Sequence, residues 1–287
     1  MALRSCADCS LRAPAALAAL TATTLLLAAC AGAPRRASAP PAPVPSPPVN
    51  VDAIPDAVPR VEARSTRGNP PFYEVAGRRY TVLASATGHV ERGVASWYGP
   101  DFHGKSTSSG EPYDMYAMTA AHKTLPLPSY ARITNLLNGR SVIVRINDRG
   151  PFVANRIVDL SYTAAARLDM IRNGTAFVEL QAIVPGENGG GGLIASATAA
   201  PAVSTPIPAS SLYIQVGAFA AESNAQQLIV RLQAAGIERV FSLAATGTGG
   251  QRLRRVRVGP VATVDEFDRI IAQLDAMGYP DARLALD

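Results

Sequence analysis

Two stretches of this sequence are too poor in large apolar side chains to pack, and they fix how much of the chain can fold. Residues 31–59 carry nine prolines and few bulky groups, so burial there cannot offset the entropy lost on ordering, and an extended tether is expected. Residues 186–210 contain glycines at 189–192, three prolines and a single charge, which is the composition of a flexible linker. Two blocks remain, 69–185 and 211–287, each of ordinary domain size. The formal charge of +5 is spread over the chain: residues 91–185 hold ten basic and eight acidic groups, and residues 211–287 hold eight of each. Neither block has the concentrated positive charge of a nucleic-acid binder, so no nucleic-acid partner is expected.

Cysteine is confined to the first segment, at Cys6, Cys9 and Cys30. The folded blocks therefore have no disulfide, no cysteine–zinc site and no thiol nucleophile. Arg4 and Arg12 precede an uncharged run that ends in small residues at Cys30, the pattern of an export signal. Ala and Thr dilute the run too far for a transmembrane anchor. LAAC at 27–30 resembles a bacterial lipobox, which implies removal of residues 1–29, Cys6 and Cys9 included, and lipid attachment at Cys30. Ala31 in place of an aspartate fits release to the outer membrane, facing the periplasm. A tether over residues 30–68, roughly 3 Å per residue, would reach on the order of 100 Å.

In the first block, residues 90–98, 130–135, 141–147 and 175–184 read as short strands, the third with Val142, Val144 and Ile146 on one face. The Asn138-Gly139 pair predicts a two-residue hairpin turn. One short helix is expected over 162–169, capped by Ser161. Many short strands and little helix point to a small barrel. Polar and aromatic residues gather between the strands. Taken alone, Trp97 reads as a core or loop anchor rather than a sugar platform, and His122 as structural. Asp148, at the end of an apolar strand, reads equally as a functional carboxylate and as a cap of the next turn.

The motifs GVASWYG at 93–99, FHG at 102–104, SGE at 109–111, TAAHKTLP at 119–126, TN at 134–135 and VRINDRGPF at 144–152 closely resemble the rare lipoprotein A family. The resemblance implies a double-psi β-barrel, a fold shared with expansins, and a lyase activity: lytic transglycosylation of peptidoglycan, with no cofactor and no metal. Carried over by motif, the catalytic candidates are Glu111, His122 and Asp148, with Trp97 and Tyr98 as substrate contacts. Where many relatives have a basic residue and an aromatic after the glutamate, this chain has Pro112-Tyr113, which sets that loop apart. The chemistry needs an acid to protonate the leaving glycosidic oxygen, after which the muramic C6 hydroxyl attacks and leaves a 1,6-anhydro end. We expect Asp148 as acid and base, with Glu111 and His122 orienting the sugar; exchanging the roles of Glu111 and Asp148 is an open alternative.

The second block alternates Leu212, Ile214 and Val216 against Tyr213, Gln215 and Gly217. A helix follows, with Ala225, Leu228, Ile229 and Leu232 at helical spacing, Ser223 before it and Gly236 after it. Strands are expected at 237–244 and 251–258, a second helix opened by the capping box Thr263-x-x-Glu266, and a last strand at 282–286. The order βαββαβ gives an α+β domain after a mainly β one. It has the outline of an RNA-recognition module without that module's aromatic signature. Alternation puts Tyr213, Gln215, Arg255 and Arg257 on the open face of the sheet. YIQVGAF at 213–219 and RVRVGP at 255–260 resemble a SPOR domain, which implies binding to denuded glycan strands, those that have lost their stem peptides, at the division septum. Arg254 stands where relatives often carry tyrosine. Peptidoglycan, the outer membrane through lipidated Cys30, and septal division proteins are the partners implied. The rival reading is a non-catalytic glycan-binding tether or an expansin-like wall loosener.

Overall fold

The computed structural model describes residues 50–186, 208, 211–247 and 249–286. Cys30, the export signal, the tether up to residue 49 and nearly all of the linker lie outside the described residues. The order of elements is β1 (Phe72–Val75), β2 (Arg78–Thr81), β3 (Val90–Trp97), β4 (Thr119–His122), β5 (Ser129–Asn135), β6 (Ser141–Asp148), β7 (Arg156–Leu160), α1 (Tyr162–Arg167) and β8 (Ala176–Ile183), followed by β9 (Leu212–Phe219), α2 (Glu222–Ala234), β10 (Val240–Thr246), β11 (Arg252–Val258), α3 (Val264–Ala276) and β12 (Arg283–Leu286).

Strands β3, β7, β4, β6, β5 and β8 close into a barrel in that order. The pairs β3–β7 and β4–β6 are parallel and the other four antiparallel. Inward side chains come from alternate positions, as a period of two requires: Ala95, Ala120, Ile133, Val144, Ile146, Val158, Leu160, Val178 and Leu180 form one core with Leu125, Leu127 and Leu168. Closure removes the sheet edges, so the strands can be short. Ser161 caps α1 as expected, its Oγ accepting from the Ala164 N–H at 3.2 Å.

Three local features differ from the sequence reading. The expected two-residue turn at Asn138-Gly139 is wider: the last β5–β6 pair is Thr134 with Ser141, and only Gly139 of the two has positive φ. The Asn138 amide is engaged elsewhere, donating to the Leu168 carbonyl at 3.0 Å and so tying the turn to the end of α1. Residues 54–68, expected as tether, lie along the barrel. The Ala57 N–H donates to Ile143 O at 3.0 Å, the Ser65 N–H to Leu127 O at 2.8 Å, and Arg167 binds Asp56 at 2.7 Å. Residues 69–88, whose part the sequence leaves undefined, build the β1–β2 hairpin, turned by Ala76 and Gly77, both with positive φ. Its Tyr73 and Tyr80 stack at 5.3 Å, and Phe152 closes on them at 6.1 and 5.8 Å.

The second domain is βαββαβ with sheet order β10-β11-β9-β12. Ala225, Leu228, Ile229 and Leu232 of α2 and Phe267, Ile270, Ile271 and Leu274 of α3 are buried against Ile214, Val256 and Val258. Thr263 caps α3 by accepting from the Glu266 N–H at 3.2 Å, and Glu266 accepts in return from the Ala262 N–H at 3.0 Å. Helix α2 begins one residue before Ser223, which is therefore inside it rather than its cap. The described residues of both domains fall in one compact unit, in which barrel residues Val94, Leu136 and Phe177 pack into the α2/α3 core. Phe177 meets Phe267 edge-on at 5.6 Å, and Arg156 binds Asp268 through both oxygens at 2.9 and 2.7 Å. Among the described residues no helix is long and apolar enough to cross a membrane.

Candidate active site

The site is organised by one irregularity at the end of β6. Along β4, Ala120 pairs with Ile146 and Ala121 with Asp148, so Asn147 is an extra residue on β6. Such a bulge reverses the alternation beyond it. Val144 and Ile146 point into the core, and Asp148 is turned to the opposite face, where Ala121 lies. Ala121 also pairs with Asp159 of β7, which pairs with Ser96 of β3. The rung Ser96–Asp159–Ala121–Asp148 thus shares one face, and Tyr98, two residues beyond Ser96, joins it.

Asp148 is the best-held carboxyl here. Its Oδ1 accepts from the Ser108 N–H at 2.7 Å, the Ser108 hydroxyl at 2.6 Å and the Arg149 N–H at 2.7 Å; its Oδ2 accepts from the Tyr98 hydroxyl at 3.1 Å. Burial, followed by the charges of Asp148 and Asp159, pushes the Tyr98 phenol up, so it remains a donor. The Tyr98 ring packs on Tyr113 at 4.9 Å and Phe102 at 5.6 Å. Glu111 lies on the loop that carries Ser108, three residues further on, and is reached by Asn147, the residue before Asp148. Ser106 and Pro112 form a β-bridge at the base of that loop, and the Ser109 N–H donates to Asn147 O at 3.3 Å. The Pro112-Tyr113 pair that departs from the family pattern therefore closes the loop and supports Tyr98.

Glu111 is clamped by Arg145, with Nη1 to Oε2 at 2.7 Å and Nη2 to Oε1 at 3.0 Å, and by the Asn147 amide at 3.0 Å. The Arg145 bonds hold its carboxyl below the usual range. Arg145 is shared with Glu62, at 3.0 and 2.9 Å, a residue from the segment expected as tether.

His122 is not brought to these carboxylates. It is one residue past Ala121, so alternation turns it to the core side with its partner Val158. Its ring is buried. Nδ1 accepts from the Thr124 and Leu125 N–H groups at 3.2 and 3.0 Å, and Nε2 faces Glu91 Oε2 at 3.1 Å. Burial lowers its pKa. Burial would raise Glu91, but the hydrogen bond with His122 and the neighbouring His89 imidazole outweigh it and bring the carboxyl to about 2. The ligand atoms of His89, Glu91 and His122 lie within 4.8 Å of one another. With Nδ1 committed as an acceptor, the neutral His122 ring carries its proton on Nε2 and has no lone pair free for a cation.

Trp97 packs into the barrel core and edge-on to Tyr162 at 5.7 Å. On the second domain Tyr213 and Arg257 share a face, the guanidinium 5.7 Å from the ring centroid, and Arg257 is covered rather than open. Val216 is an extra residue on β9, so Gln215 pairs with Arg257 and Ala218 with Arg255; Gln215 and Arg255 are partly exposed. Arg254 is engaged by Glu222 at 3.0 Å.

Residues 90–180 match a family model described as lytic transglycolase, and residues 208–284 match the SPOR domain. Endolytic peptidoglycan transglycosylase RlpA of Pseudomonas aeruginosa is 40% identical over 267 residues, covering 77% of each chain. The chain belongs to the RlpA family. The RlpA of Neisseria meningitidis serogroup A is 55% identical over 133 residues, 46% of this chain and 55% of its own. The crystal structure of the P. aeruginosa RlpA SPOR domain aligns at 32% identity over 26% of this chain and 99% of that one, with a TM-score of 0.25.

Set within this RlpA-family barrel, the sequence reading missed Ser108, Arg145, Glu62 and Asp159. Ser108 and Arg145 lie inside or beside the motifs, but only the fold shows what they hold. Glu62 was hidden by the prolines around it, and Asp159 by the apolar strand Arg156–Leu160 that carries it.

Proposed function

We propose that this chain is a lytic transglycosylase that cleaves peptidoglycan glycan strands and leaves 1,6-anhydro-muramic ends. The observation that carries the reading is Asp148, held at the bulged end of β6 by Ser108 of a loop that also carries the clamped carboxylate Glu111, in a domain that matches the lytic transglycolase model. Relatives that share 40% of its residues over 77% of their length bear the name endolytic peptidoglycan transglycosylase. The SPOR domain is the glycan-binding half, and its preference is for strands stripped of stem peptides. Cys30 carries lipid that anchors the chain to the outer membrane on its periplasmic side, and denuded septal glycan concentrates it at the division site among the septal proteins. Joining a binder to a cutter raises the local concentration of substrate at the barrel with no new contact there.

The experiment is incubation with amidase-treated sacculi followed by mass analysis of the soluble fraction. Anhydro-muropeptides should appear, and should fall away in Asp148→Asn and Glu111→Gln. Binding to sacculi with no anhydro product would favour the non-catalytic glycan-binding reading.

A further inference from the structure

Resting on that reading, we propose that Asp159 is the catalytic proton donor of the barrel, and that Asp148 supplies the fixed negative charge opposite it. This revises the expectation that Asp148 acts as both acid and base.

Ala121 has Asp148 as its partner on one side and Asp159 on the other. Partners on one rung point to the same face, and two inter-strand steps separate their Cα atoms by about 10 Å. Carboxyl groups reaching toward each other from that spacing fall in the range used by paired carboxylates in glycoside cleavage, about 5–9.5 Å. The residue between them is alanine, with no side chain to fill the gap. Gly150, in the turn after Asp148, lies over the rung: a Cβ there would sit 3.7 Å from Asp159 Oδ2 and 3.8 Å from the Ala121 Cβ.

The two carboxyls are treated differently, which is how one site separates acid from anion. Asp148 accepts four hydrogen bonds, three of them on Oδ1. Asp159 has one side-chain donor, the Ser96 hydroxyl on its Oδ1. Burial raises the pKa of Asp159, and Asp148 raises it further, against the Ser96 hydrogen bond and the charges of Lys123 and Arg156. The remaining titratable groups facing it are the phenols of Tyr98 and Tyr113. Lys123 donates to the Arg156 carbonyl, and Arg156 is bound to Asp268.

In the step, the Asp159 carboxyl passes its proton to the glycosidic oxygen as the C1–O bond breaks, and the departing sugar leaves as a neutral alcohol. Positive charge develops on the muramic ring opposite Asp148. The Asp159 carboxylate then takes the C6 hydroxyl proton as O6 bonds to C1, closing the 1,6-anhydro ring and restoring the carboxyl. No water and no other reactant is consumed.

The test measures release of anhydro-muropeptides from amidase-treated sacculi against pH for the parent, Asp159→Asn and Ser96→Ala. Asp159→Asn should lose about 100-fold or more at every pH while still sedimenting with sacculi. Ser96→Ala removes the donor that favours the ionised form, so its activity should persist to higher pH than the parent's. That displacement is a readout that a merely structural Asp159 would not move, and it stands even where Asp159→Asn folds poorly. Parent-like release by a folded Asp159→Asn, or an unmoved alkaline limb in Ser96→Ala, would overturn the assignment. A parent that binds sacculi and releases no anhydro product would instead overturn the proposed function beneath it.

Discussion

Replacing Glu62 by glutamine should destabilise the fold by an amount that depends on pH, because this carboxylate pins residues 54–68 to the barrel through Arg145. Glu62 takes Nε and Nη2 of Arg145 at 3.0 and 2.9 Å and also accepts from the Tyr130 hydroxyl. Both partners of the ion pair are more than four-fifths buried. The Arg145 hydrogen bonds, against a burial penalty, bring the carboxyl from 4.5 to about 2. At about 1.4 kcal/mol per pKa unit, that shift corresponds to at most about 3.5 kcal/mol of stability at neutral pH. Arg145 keeps Glu111 in the variant and the glutamine still accepts, so we expect a loss of about 1.5–2.5 kcal/mol. A carboxyl depressed in the folded state stabilises fully above its unfolded pKa, near 4.5, and loses that stabilisation as pH falls toward 2. Urea unfolding of parent and Glu62→Gln at pH 7, 5 and 3 should therefore show a gap that is full at the first, nearly full at the second and much reduced at the third. Hydrogen exchange gives an independent check, since the Ala57 and Ser65 amides should exchange faster in the variant at pH 7. A gap of equal size at pH 7 and pH 3, or unchanged exchange at both amides, would refute the reasoning.

Two further outcomes follow from packing. A Cβ at Gly93 would lie 2.5 Å from Ile157 Cγ2, so Gly93→Ala should cost about 1–3 kcal/mol in urea unfolding; adding Ile157→Ala should recover part of that loss, and additive costs in the double variant would show that the contact is not the cause. Arg156→Glu should loosen the barrel from the second domain, splitting one thermal transition into two, and Asp268→Arg in the same chain should restore a single transition, with a coupling of about 1–2 kcal/mol. Single-step melting of Arg156→Glu would mean that Phe177 and Phe267 hold the domains without the ion pair.

Features written in local periodicity or capping chemistry were legible in the sequence. β6 alternates, Ser161 and Thr263 sit where their helices begin, and Val256 and Val258 mark the buried face of β11. β4 was not legible, because Thr-Ala-Ala-His offers neither alternation nor a β-branched run. The Asn138-Gly139 turn misled because turn propensity carries no information about a carbonyl 30 residues away that recruits the asparagine side chain. The same limit governs the site. Motif resemblance brought Glu111, His122 and Asp148 forward together, but a single extra residue at position 147 decides that Asp148 and His122 face opposite sides of one sheet. Asp159 has no motif of its own; only the register across three strands sets it opposite Asp148.

Arg145 connects two features that the sequence keeps far apart. Its guanidinium divides between Glu111, in the loop that also positions Ser108 against Asp148, and Glu62, in the segment running back toward the N-terminal tether. A fork with donors on both edges can hold two carboxylates at once, and here burial and both carboxylates fix it in place, with the carboxylates raising its pKa against the penalty of burial. Pulling Glu62 away would leave Arg145 with Glu111 as its only carboxylate among the described residues, and would expose an arginine that is now 17% accessible. The loop that bonds Asp148 is therefore braced by the same group that holds residues 54–68, and a load on that segment reaches the candidate site through Arg145 as well as through Ser65, whose hydroxyl donates to Ser109 O at 3.3 Å, and Gly68, whose carbonyl accepts from Arg149 Nε at 2.8 Å.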